Sequence, residues 1–175
     1  QVAIFLVTAA VLDSMPGPTV FRRRLLPEGW LTGVATAVKL TPAVVAAYNF
    51  FAGKRRAGII SFLTFVACTL IGLVVLWGSS LTYFGRLLSG DSGLNSGIVF
   101  KTNQSVLGVW TRLFGEASRG GLVLAALVAL VGIAAAVLMH KAGEVPFALC
   151  LAGLTSLLAS PISWSHHYVW IVPFG

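Results

Sequence analysis

Apolar residues along this chain fall into long runs, separated by short clusters of proline, glycine and basic residues rather than by the evenly spaced polar positions of a soluble helix. Residues 1–12 form the first run, which ends at Asp13 and the breaker Pro16-Gly17-Pro18. A second run extends from Leu25 or Trp30 to Ala52 and is interrupted by Val38-Lys39-Leu40-Thr41-Pro42. Residues 57–84 make a third run without internal charge, which predicts the clearest membrane span. Residues 122–139 and 146–159 supply the last two complete runs. Crossing a bilayer takes about 20 apolar residues, so the pattern predicts an all-α, polytopic transmembrane helix bundle. Between the third and fourth runs, Val106, Val109, Trp110 and Leu113 fall at helical spacing within residues 103–114. That spacing predicts an amphipathic helix lying on the outer membrane surface.

The interrupted second run has two possible geometries. A straight span would put Arg22, Arg23 and Arg24 on the opposite side of the membrane from Lys54, Arg55 and Arg56, against the rule that basic loops stay cytoplasmic. A broken pair of half-helices that enters and leaves on the cytoplasmic side keeps both clusters inside, with Lys39 near its apex, and is the geometry favoured. Each half then measures only about 18 Å against a hydrocarbon core of about 30 Å. Such a break is tolerated where protein or a water-filled cavity surrounds it. In this topology Lys141 also lies inside, and Lys39, the 101–105 segment and the His166-His167 pair converge outside.

Composition agrees with this reading. Of the 175 residues 57% are hydrophobic and only 10% charged, with a mean hydropathy of +0.92, whereas soluble domains are roughly a quarter charged. The net charge of +7 does not call for nucleic acid, because six of the twelve basic residues sit in the two clusters beside apolar runs. Those clusters act as topology determinants and suit anionic lipid head groups. Cys68 and Cys150 lie inside apolar runs and read as small buried hydrophobes. No signal peptide is recognisable. The chain opens inside an apolar run and stops a few residues into another, so a single transmembrane domain fragment over 1–175, truncated at both ends, is expected.

Candidate chemistry concentrates in three places. A lysine deep in an apolar run costs about 2.5–3.5 kcal/mol and tends to face a cavity or a partner; Lys39 therefore binds an anion such as phosphate, or is a snorkelling or internally paired lysine. Ser160-Pro161-Ile162-Ser163-Trp164-Ser165-His166-His167-Tyr168 brings hydroxyls and imidazoles to a bilayer boundary, as the polar floor of a site or as an interface anchor. Lys101-Thr102-Asn103-Gln104-Ser105 is suited to sugar hydroxyls or simply opens a helix. His140 is expected to be an exposed loop residue. Phosphate-cradling, dinucleotide, HExxH and nucleophile-elbow motifs are missing from the sequence, and no cofactor or metal is expected.

Lys39-Leu40-Thr41-Pro42 after a Gly/Ala-rich segment, Asn103-Gln104-Ser105 and the stretch from Ser160 to His167 together resemble glycosyltransferase family 87, in the same order and over nearly the whole chain. Gln1-Val2 with the Asp13-to-Pro18 breaker also resembles a family helix that begins with Gly-Gln. The resemblance implies a GT-C fold in the plasma membrane and transfer of mannose from a polyprenyl phosphate, with inversion, to a lipid-anchored glycan of phosphatidylinositol mannoside or lipomannan type on the outer face. It implies donor-phosphate binding by Lys39, His166 and His167 and substrate binding by Asn103, Gln104 and Ser163. It also implies an acidic general base on an early outer loop, expected upstream of residue 1, which would leave the fragment inactive alone; Asp91 and Glu116 are the outward acids within the chain. Rival expectations are a decaprenyl-phosphate-dependent arabinofuranosyltransferase and a transporter or flippase subunit with a midplane site at Lys39.

Overall fold

A computed structural model describes residues 2–14, 26–88, 95–115 and 118–174. The 16–18 breaker, the arginines at 22–24, Asp91 and Glu116 lie outside the described residues. Among the described residues the secondary structure is helical, apart from one isolated bridge between Asn103 and Trp164. The helices are α1 (Val2–Ser14), α2 (Trp30–Val38), α3 (Ala43–Phe51), α4 (Arg55–Val75), α5 (Trp77–Leu88), α6 (Asn95–Ile98), α7 (Val106–Phe114), α8 (Arg119–Lys141) and α9 (Val145–Ala159), followed by a 3-10 helix at Ser165–Phe174.

Two of these, α4 and α8, are long and apolar enough to cross a membrane. Their outer faces expose Ile59, Phe62, Ile71, Leu127, Leu130 and Val131, side chains that lipid rather than water would cover. The single span expected over 57–84 is two helices, because the backbone leaves helical geometry at Leu76 (φ −116°, ψ 47°). With 21 residues and about 1.5 Å of rise each, α4 already matches a hydrocarbon core of about 30 Å. The second apolar run likewise divides into α2 and α3. The amphipathic helix expected over 103–114 begins at Val106, where Ser105 caps it by accepting from the Gly108 N–H at 3.0 Å.

α3 is shared between two packed groups, lying against α4 on one side and against α8 and α9 on the other. The buried core between α1, α3, α8, α9 and the 3-10 helix is built from small and branched residues: Val7, Ala10, Val45, Ala136, Ala148 and Ala152, closed by Tyr48, Leu149 and Trp170. Small residues let helices approach closely where apolar burial gives no advantage over lipid. Gly153 shows the closeness, since a Cβ on it would run into the Trp170 indole. Cys150 is buried here and Cys68 is half-buried on α4.

α2 starts from an interaction that spans the break in the described chain. The Asp13 carboxylate, buried at the C-terminal end of α1, accepts from the Gly29 N–H (2.9 Å), the Thr32 N–H (2.9 Å) and the Thr32 hydroxyl (2.7 Å). It is an N-cap supplied by another helix, placing negative charge at the positive end of the α2 dipole. Gly29 is needed there, having φ +99° and a Cα against the Ala57 carbonyl. Around it, Asn49 Nδ2 donates to Ser14 Oγ, and Lys54 Nζ donates to the Ser14 carbonyl and pairs with Glu28 at 2.7 Å. His140, expected as an exposed loop residue, is instead in the last turn of α8, half-buried, with Nδ1 2.7 Å from the Tyr48 hydroxyl and its ring edge-on to the phenol. The apolar face of α3 carries that hydroxyl to it, a pairing between residues far apart in the chain.

Asp13→Ala should lower the unfolding free energy in detergent by about 3 kcal/mol, because two backbone donors and a hydroxyl lose a charged acceptor. Thermal and denaturant unfolding of the solubilised protein measures it, and a loss below about 1 kcal/mol would mean that the cap is not what holds α2 in place.

Candidate anion-binding site

Lys39 sits in the break between α2 and α3. Its backbone is extended (φ −151°, ψ 129°) and its N–H closes the last turn of α2 on the Ala35 carbonyl. Pro42 explains why the helix does not continue: it supplies no N–H and disfavours helical geometry at Thr41. The turn is nevertheless satisfied, with Ala43 N–H donating to Leu40, Val44 N–H to Thr41 and Val45 N–H to Pro42. Lys39 is half-buried, and among the described residues it has no ion-pair partner. Its Nζ lies 3.1 Å from His167 Nε2, a residue 128 positions later.

The imidazole of His167 is held from behind. Trp164 N–H donates to His167 Nδ1 at 3.0 Å, and His167 N–H returns to the Trp164 carbonyl at 2.8 Å. The 160–164 segment is fixed in turn by Asn103, whose side chain is fully buried. Asn103 Nδ2 donates to the Ile98 and Pro161 carbonyls, and Oδ1 accepts from the Ser105 and Ser163 N–H groups, which uses all four positions of the carboxamide. Gln104 N–H donates to the Ser163 carbonyl at 2.7 Å, Ser105 Oγ donates to the Pro161 carbonyl, and the Tyr168 hydroxyl donates to the Gln104 carbonyl. Arg112 on α7 ties the same loop by donating to the Phe100 and Asn103 carbonyls.

These bonds decide which nitrogen of His167 carries a proton. An Nδ1 that accepts from Trp164 leaves the proton of a neutral ring on Nε2. Nε2 then lies 3.1 Å from Lys39 Nζ, so an imidazole nitrogen and an amine meet at one point. A group bearing negative charge and several acceptor oxygens satisfies both. An oxygen of a phosphate suits the pair on charge, hydrogen-bond polarity and size.

The sequence-predicted residues separate into two sets. Lys39 and His167 are brought together. Asn103, Ser105 and the Ser163 backbone hold the loop that carries His167, so the Asn103 amide is spent on the chain itself. The Ser163 hydroxyl is fully buried without a hydrogen-bond partner. Gln104 donates its side-chain amide to the Lys101 carbonyl on the exposed side of the loop. His166 shares the 3-10 helix, and its side chain lies outside the described part of the structure. Sequence reasoning missed Asp13 and Tyr48; Asp13 carried a hint, as an acid directly after an apolar run. No cluster of three or more His, Cys, Asp or Glu side chains able to hold a metal occurs among the described residues.

A helical body with two spans long and apolar enough for a membrane, and a half-buried lysine meeting an oriented imidazole at a helix break, defines an integral membrane protein of the all-α class. The chain matches the model of glycosyltransferase family 87 over residues 1–161 and belongs to that family. It is 33% identical over 176 residues to a polyprenol-phosphate-mannose-dependent alpha-(1-2)-phosphatidylinositol mannoside mannosyltransferase of Mycobacterium tuberculosis (strain ATCC 25618 / H37Rv), covering 99% of this chain and 40% of the relative. A pentamannoside mannosyltransferase of M. tuberculosis (strain CDC 1551 / Oshkosh), also named as polyprenol-phosphate-mannose-dependent, is 36% identical over 176 residues, covering 99% of this chain and 39% of that protein. A phosphatidylinositol mannoside mannosyltransferase of Mycolicibacterium smegmatis is 33% identical over 183 residues, with 99% and 40% covered. The chain thus spans about 40% of the length of the curated relatives it matches. No solved structure matches it.

Asn103→Asp preserves shape but turns two donors into acceptors facing the Ile98 and Pro161 carbonyls. It should destabilise the protein by about 3 kcal/mol, at least as much as Asn103→Ala. Equal thermal stability of Asn103→Asp and the parent would contradict the hydrogen-bond assignment.

Proposed function

We propose that this chain forms part of a plasma-membrane mannosyltransferase that takes mannose from polyprenyl-phosphate-mannose and passes it to a phosphatidylinositol mannoside or related lipid-anchored glycan on the outer face. The single observation that carries this reading is the meeting of Lys39 Nζ and His167 Nε2, 3.1 Å apart at the break between α2 and α3. The relatives' names supply the matching ligand, a phosphate on a polyprenyl lipid bearing mannose.

In this reading α2 and α3 are a re-entrant pair within a GT-C-like, multi-pass bundle. α4 runs outward from the cytoplasmic Lys54-Arg55-Arg56 cluster, and α7 rests on the outer surface. Lys39 and His167 hold the donor phosphate. As the bond from the anomeric carbon to the phosphate oxygen breaks, negative charge builds on the departing phosphate, and a fixed ammonium and imidazole N–H stabilise that charge more than they stabilise the intact donor. Little reorganisation is needed, because the Trp164 N–H already fixes the ring. Asn103 and the Ser163 backbone act through His167 as positioning groups.

In membranes carrying the full-length protein, Lys39→Ala and His167→Ala should each lower kcat for mannosyl transfer from polyprenyl-phosphate-mannose by about 100-fold or more at unchanged protein abundance. Transfer at parental rates in both variants would remove the pair from the reaction. Transfer of arabinofuranose in preference to mannose would keep the site and change the sugar.

A further inference from the structure

We propose that α5 is an interfacial helix, laid along the membrane surface at the end of α4 with Trp77, Leu81 and Phe84 turned into the lipid. The inference stands apart from the sugar chemistry above and begins with depth. α4 starts at Arg55 and Arg56, whose charges belong at one bilayer boundary. Its 21 residues rise about 30 Å, the thickness of a hydrocarbon core. Leu76, at the other end, therefore stands at the opposite boundary. There α5 opens with Trp77, a side chain that favours that depth.

Direction is set by the turn between the two helices. At Leu76 the backbone leaves helical geometry, and the Ser80 hydroxyl donates to the Gly72 carbonyl at 3.4 Å. Those residues are eight positions apart, about 12 Å along a straight helix axis, so α5 turns off the α4 axis instead of extending it. Helical spacing then sorts the positions of α5 by face. Trp77, Leu81 and Phe84 (i, i+4, i+7) share one side, and Ser79, Thr82 and Arg86 fall on the other. The three apolar side chains are exposed, and among the described residues it is α4 that α5 packs against.

The occupant of that face follows from continuity. Along the chain it prolongs Leu70, Ile71, Val74 and Val75, the exposed apolar side chains of the last turns of α4, which lipid would cover. A short helix with one apolar side and one polar side, joined to a span at the hydrocarbon edge, lies with its apolar side sunk about 5–10 Å into the boundary between head groups and acyl chains. The partner of α5 is the bilayer itself, and the polar face is left to the head groups and water.

The test is site-directed spin labelling of the full-length protein in phospholipid nanodiscs. Single cysteines enter a cysteine-free background as Trp77→Cys, Ser79→Cys, Leu81→Cys, Thr82→Cys and Phe84→Cys. Power saturation compares collisions with oxygen, which partitions into lipid, against those with a nickel chelate, which stays in water. The oxygen-to-nickel ratio should be high at 77, 81 and 84 and low at 79 and 82, with 77 and 84 at equal depth. Nickel access at all five positions would place α5 in water. Oxygen access at all five, with 77 and 84 about 10 Å apart in depth, would make it a continuation of the span. Exclusion of both reagents at 77, 81 and 84 would mean that protein covers the face. Each of these three results overturns the proposal.

Discussion

A helix that stops inside an apolar body exposes backbone donors and acceptors that lipid cannot satisfy, and the structure depends on how that constraint is met around α2 and α3. At the start of α2 the Asp13 carboxylate takes the Gly29 and Thr32 N–H groups and the Thr32 hydroxyl. The Gly29 carbonyl accepts from Ser61 on α4 at 2.9 Å. At the break the Leu40, Thr41 and Pro42 carbonyls receive the first N–H groups of α3. With both ends satisfied, two short helices stand where one continuous helix would have carried Lys39 on its flank, and the half-buried lysine is brought to His167.

The second half of the site is built on the same economy of hydrogen bonds. One buried carboxamide, Asn103, joins the loop before α7 to the segment after α9, and that segment supplies both the Trp164 N–H that orients His167 and the turn that presents it. The consequence is a lysine amine and an oriented imidazole brought within 3.1 Å of each other. In the proposed function this pair is set in place before an anion arrives, the arrangement that electrostatic catalysis requires. In the proposed function that anion is the phosphate of the donor for which the relatives are named.

Much of the fold was legible in the sequence because hydrophobic runs and breakers report on single segments. α8, α9 and α7 follow directly from 122–139, 146–159 and the Val106, Val109, Trp110 and Leu113 spacing, and Pro42 marks the break that separates α2 from α3. The division of 57–84 at Leu76 was not legible, since no proline or charge marks it. Lys39 and His167 were each visible as polar interruptions, but their contact joins residues 128 apart and is a property of packing. The same holds for the roles of Asp13, which reads as the end of a run and serves as another helix's cap, and of Asn103, which reads as a sugar ligand by residue type and spends its amide on the backbone. His140 read as a loop residue because its partner, Tyr48, lies on a helix 92 positions away.

The central claim is that Lys39 and an Nε2-protonated His167 aim two donors at one phosphate. The most direct measurement is nitrogen-15 magnetic resonance of the full-length protein with labelled histidine and lysine, before and after addition of polyprenyl phosphate. The account predicts that His167 carries its proton on Nε2 and leaves Nδ1 unprotonated. It also predicts dipolar coupling from phosphorus-31 to both His167 Nε2 and Lys39 Nζ once the lipid is bound. A proton resident on Nδ1 in the neutral ring, or bound polyprenyl phosphate without coupling to either nitrogen, would contradict it.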